Sequence, residues 1–70
     1  MKFAIIIEEG DNNFSAYVPD LPGCVSTGNT LEEVKNNMKE AIQFHIEGLK
    51  EDGIEIPLAV SISETVEVAA

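Results

Sequence analysis

A single cysteine, Cys24, in 70 residues leaves no internal disulfide to form. A lone Cys also cannot build the four-ligand cage of a structural zinc site, and the single His45 lies too far along the chain to make a Cys/His spacing pattern. Arginine is absent. Four lysines stand against 13 acidic residues, a formal net charge of −9, and the resulting field repels phosphate backbones and anionic lipids. Direct DNA or RNA binding is therefore not expected, whereas a basic partner would be drawn in faster. The same acidity also serves plain solubility. No apolar run reaches membrane length, there is no repeat or low-complexity tract, and the start Met1-Lys2-Phe3 turns acidic by Glu8, which leaves no room for a signal peptide. The expectation is a cytoplasmic protein forming one domain over residues 1–70. A domain of this size buries only about 60% of its unfolded surface, so support from a homodimer or higher homo-oligomer is expected.

What is present reads as a compact α+β pattern. From Lys2 to Glu8, Phe3, Ile5 and Ile7 share one face and β-branched residues favour a strand, with Ile6 on the other face. Glu9-Gly10-Asp11-Asn12-Asn13 is a cluster of turn formers. Phe14, Ala16 and Val18 then alternate with Ser15 and Tyr17, so the two runs make a hairpin. Pro19 and Pro22 remove two amide donors and Gly23 admits unusual backbone angles, which predicts a stiff turn over Pro19 to Gly23. A short third strand follows over Cys24 to Thr27, and Gly28-Asn29 leads straight into Thr30-Leu31-Glu32-Glu33, a capping box that offers the Thr30 oxygen to the Glu33 amide.

The helix predicted from there runs to about Glu51. Leu31, Val34, Met38, Ala41, Ile42 and Leu49 make one apolar stripe, and Glu33, Asn36, Glu40, Gln43, Glu47 and Glu51 make the opposite face. Glu47 and Glu51 are a like-charge pair four residues apart, which costs a few tenths of a kcal/mol in an isolated helix. Asp52-Gly53 supplies the stop, and Pro57 lies beyond it. Leu58, Val60, Ile62, Val66 and Val68 then alternate with small or polar residues and predict a fourth strand, with Glu64 intruding on its apolar side. The predicted order is βββαβ, an antiparallel sheet with one long helix packed on one face. Ile6 and Tyr17 fall on the other face, where a second copy or a partner could cover them.

Few residues suggest chemistry. His45 could act as a general base, but no nucleophile or orienting carboxylate is spaced to serve it, and its place in the apolar stripe suits a packed or interface histidine. Cys24 could be a nucleophile if a cation or helix N-terminus favoured its thiolate; no lysine is near it, and a half-buried strand residue is the simpler reading. Glu8, Glu9, Asp11 and Asp20 could bind a hard cation, yet no calcium-loop spacing is present. Phe14 and Tyr17 could stack on bases only beside a basic groove, which the chain lacks. Neither an enzyme nor a metal or other cofactor is indicated.

The run Tyr17-Val18-Pro19-Asp20-Leu21-Pro22-Gly23-Cys24, then Gly28-Asn29-Thr30 with Glu32-Glu33, Ala41-Ile42, Glu47-Gly48-Leu49, Asp52-Gly53 and Ile56-Pro57, resembles the signature of the HicB-like antitoxin family over nearly the whole chain. The resemblance implies a truncated RNase H-like fold. It also implies an antitoxin of a type II toxin-antitoxin system that binds and occludes a small, basic, HicA-like mRNA-cleaving toxin. It does not imply nuclease activity, which needs carboxylates clustered around two metal ions. Antitoxins of the family commonly carry a C-terminal DNA-binding segment. Here Glu67-Val68-Ala69-Ala70 are too few and too acidic to form one, which suggests a short form. Tyr17, Asp20, Leu21 and Pro22 of the turn and Glu40, Glu47 and Glu51 of the acidic helix face are the candidate partner contacts, while Gly23, Gly28, Thr30, Glu33 and Gly53 are the candidate structural positions. The alternative is a self-associating interaction domain with no toxin.

Overall fold

The β-branched and aromatic runs near the N-terminus pair as expected. In the computed structural model, which describes all 70 residues, β1 spans Ile6–Glu9, β2 Phe14–Tyr17 and β3 Val25–Gly28. They form one antiparallel sheet in the order β1-β2-β3. Ile6 stands opposite Tyr17 and Tyr17 opposite Val25, so one face carries these three side chains. Phe14, Ala16 and Val18 alternate onto the other face and, with Phe3, Ile5 and Ile7, pack toward the helix.

The turn between β2 and β3 is tied at three points. Val18 donates to the Cys24 carbonyl, Leu21 to Val18 and Cys24 to Leu21, each at 3.1 Å. Gly23 adopts φ 83°, a conformation that strains any residue with a Cβ. Leu21 is thereby folded inward and is fully buried.

A single helix, α1, spans Leu31–Glu51. Thr30 Oγ1 accepts the Glu33 amide at 3.0 Å, satisfying one of the helix's unpaired N-terminal donors, and Glu32 and Glu33 complement the positive end of its dipole. At the far end the Ile54 amide donates to Leu49 and the Gly53 amide to Lys50, with Gly53 at φ 68°, which is the geometry of a Schellman stop. Val34 and Met38 are buried against Ala16, Val18, Leu21 and Cys24, and Ala41, Ile42 and Leu49 pack around that core. Leu31, expected in the stripe, is mostly exposed because it sits at the helix mouth. Asn37 Nδ2 donates to the Thr27 carbonyl at 2.8 Å and fastens the helix to β3.

The expected fourth strand does not form. The chain beyond Gly53 has no regular secondary structure, so the observed order is βββα. The reason lies in where its amides go. Asp20 Oδ2 takes the Val60 and Ser61 amides at 3.0 and 2.9 Å, Leu58 also accepts from Val60, and the Ile5 carbonyl is taken by the Ser63 hydroxyl at 3.3 Å rather than by a backbone amide. Side chains thus substitute for a ladder along the edge of the sheet. Pro57, Ala59 and Ser61 turn toward the domain, and the apolar set of Leu58, Val60, Ile62, Val66 and Val68 faces solvent instead of the core.

Candidate interaction surfaces

The helix presents its charged side outward because Val34, Met38, Ala41, Ile42 and Leu49 hold the opposite side against the sheet. Glu40, Glu47 and Glu51 are all exposed there. Between them stands Phe44, 79% exposed, four residues after Glu40 and three before Glu47. A large aromatic side chain on a surface gains nothing for the fold; flanked along the helix by Glu40 and Glu47 it offers a hydrophobic anchor between negative charges. The sequence pattern did carry a signal for Phe44: an aromatic interrupts an otherwise polar helical face.

The turn residues fall elsewhere. Tyr17, 42% exposed, lies on the sheet face that the helix does not cover, and so on the far side of the domain from Glu40, Glu47 and Glu51. Pro22 is exposed at the turn. Leu21 is in the core, where it supports the turn's shape rather than its surface. Asp20 is half-buried and occupied within the chain: its Oδ1 accepts the Ser61 hydroxyl at 2.8 Å and its Oδ2 the two amides. The Ser61 amide, then the Ser61 hydroxyl, hold the Asp20 carboxyl below its ordinary value, with a smaller pull from the Val60 amide, against an opposing push from burial.

Chemistry is as sparse in space as along the chain. Cys24 is buried and free, and burial raises its thiol pKa, so thiolate is disfavoured. His45 is half-buried in the helix stripe. No three His, Cys, Asp or Glu side chains converge as a metal site, and no helix is long and apolar enough to cross a membrane. What the geometry supplies is a pair of faces suited to contact with other protein: an acid-flanked aromatic on the helix and an uncovered sheet face bearing Tyr17 and Val25.

These features define a small α+β domain, three antiparallel strands covered by one helix. Its family is shown by comparison: the chain belongs to the HicB-like antitoxins of bacterial toxin-antitoxin systems, matching over residues 3–69. An uncharacterized 14.9 kDa protein of Haemophilus phage HP1 is 47% identical over 64 residues, covering 91% of this chain and 48% of the phage protein. A UPF0150 protein of Helicobacter pylori is 45% identical, covering 74% of this chain and 72% of that protein. A UPF0150 protein of Thermoplasma acidophilum is 43% identical, with 81% and 84% covered. Among solved structures, the chain is similar to one in a HicA3 and HicB3 toxin-antitoxin complex, with TM-score 0.70 and 36% identity, covering 79% of this chain and 64% of that one. The chain spans about half the length of the phage relative.

Proposed function

We propose that this domain is the toxin-binding part of an antitoxin and that it captures a small, basic, HicA-like mRNA-cleaving protein, blocking it by occlusion rather than by any reaction of its own. The observation that carries the reading is Phe44, exposed on the same helix face as Glu40, Glu47 and Glu51 on a chain of net charge −9. A basic partner that must bind RNA phosphates has a positive surface, and an acid-flanked aromatic complements it by mimicking the charge and supplying a desolvated anchor. The family and the HicA3 and HicB3 complex support the same role. Within these 70 residues the charge balance opposes direct DNA or RNA binding. The three-stranded sheet with its covering helix is read as a truncated RNase H-like layer pair, a likeness that concerns fold and not nuclease chemistry.

The test is co-expression with a small, basic, HicA-like protein. Stable co-purification, with RNA cleavage by that protein abolished and restored when Phe44 and the three glutamates are replaced, is the expected result. Unimpeded cleavage in an equimolar mixture would overturn the proposal. Self-association without a toxin is the second reading, favoured by the solvent-facing apolar side chains of the C-terminal segment.

A further inference from the structure

Between the N-terminal residues and α1 lies a groove of about 480 Å³, floored by Phe3, Ile5, Met38, Ile42 and Ile46. Its lining also includes Lys35, Lys39 and Lys50, three of the four cations of this acidic chain. So the chain's few positive charges are gathered around one apolar trough, while the net charge everywhere else is negative. An occupant of matching chemistry would be an extended segment whose apolar side chains are interrupted by carboxylates.

The chain carries such a segment. Ile62, Glu64, Val66 and Val68 fall on one side of an extended strand, and Glu64 is the residue that spoils this side for a buried core. Ile62 is 82% and Val66 89% exposed. The segment cannot turn this side into its own groove as it stands: the bonds from Val60 and Ser61 to Asp20 and from Ser63 to Ile5 hold the serines toward the domain and aim the even-numbered side chains away. We infer that the apolar side of Ile62–Val68 docks in the Phe3–Ile46 groove of a second copy, with Glu64, the carboxylate on that side, meeting the groove lysines, in a reciprocal exchange of C-terminal segments.

Size permits this. Ile62, Val66 and Val68 are each largely exposed. Together they offer on the order of 400 Å² per copy, and two segments with the two grooves that receive them pass the roughly 1,000 Å² that a specific interface needs. A two-fold exchange of this kind closes on itself and leaves no open end for polymerisation. The local attraction of lysine for glutamate also offsets the repulsion that the net charge sets up between two copies. The inference rests on the self-association of the chain and not on toxin capture, so it stands or falls independently of the antitoxin role.

The test mixes isotope-labelled and unlabelled native chain and applies a zero-length carbodiimide cross-linker, which joins lysine to carboxylate in contact. Mixed-isotope peptide pairs joining Lys35, Lys39 or Lys50 to Glu64 are expected. Same-isotope pairs alone would mean that the segment folds into its own groove, and no such pairs would mean that the groove holds something else; either overturns the inference. Sedimentation velocity supplies the second arm. The native chain should shift from monomer to dimer as concentration rises, and the I62D/V66D variant should remain monomeric and melt where the native chain melts at concentrations too low for its dimer, because both side chains are exposed in the single domain. A variant that dimerises like the native chain would also overturn it.

Discussion

Asp20 grips Ser61 with both carboxylate oxygens, accepting the hydroxyl on Oδ1 at 2.8 Å and the amide on Oδ2 at 2.9 Å across 41 positions of sequence. The grip depends on charge. Because the folded carboxyl titrates below its unfolded value, its contribution is complete above the ordinary carboxylate pKa and is lost as pH falls through the depressed folded one. Amide exchange protection at Val60 and Ser61 should therefore persist at neutral and mildly acidic pH and vanish only below the ordinary carboxylate range. In Asp20→Ala it should be absent at every pH; protection equal to the native chain's would show that something else holds the segment.

Gly28→Ala should be among the most damaging small substitutions. A Cβ there would stand 2.6 Å from the Val34 backbone nitrogen and 2.8 Å from its Cα, and the backbone at the start of α1 cannot step aside as a flexible side chain could. Overpacking of this kind costs roughly 2–3 kcal/mol, measurable by urea unfolding. A loss below half a kcal/mol would mean that α1 approaches β3 less closely.

Thr30→Ala removes the oxygen that accepts the Glu33 amide. The expected loss is about 1 kcal/mol, with Thr30→Asp recovering most of it through the same hydrogen bond and a favourable charge at the dipole's positive end. Equal stability of the native chain and both variants would disprove the cap.

Phe44→Ala separates binding from folding. The side chain is solvent-exposed, so unfolding should change by no more than about 0.5 kcal/mol, while affinity for the proposed HicA-like partner should fall by about 2 kcal/mol or more. Changing Glu40, Glu47 and Glu51 to Gln should instead slow association at low salt, with the effect fading as salt screens it. Association rates unaffected by the triple change would remove the steering role.

Cys24 should resist alkylation in the folded protein at neutral pH, since burial both hides the sulfur and disfavours its thiolate. Reaction should track denaturant unfolding. Rapid labelling of the native chain would place Cys24 at the surface instead.

Much of this was readable from local chemistry. The hairpin followed from alternation around a turn cluster, and the helix start and stop followed from Thr30 and Gly53, whose capping bonds involve residues only a few positions away. The fourth strand was misread for the opposite reason. Alternation over Leu58 to Val68 shows that an extended segment can have an apolar side, but not which way that side will face. That direction was set by Asp20, forty residues earlier, a turn carboxylate that is a candidate partner contact by sequence and that bonds Val60 and Ser61 within the chain.

The sequence by itself determined the acidic field, the lack of disulfide and zinc cages, the three strands and the capped helix, because each depends on residue identity or on neighbours within a turn. Only tertiary structure decided that three of four lysines gather at one apolar groove and that the last apolar stripe is turned to solvent. Those are outcomes of packing between distant segments, where one side-chain hydrogen bond can outweigh a local pattern.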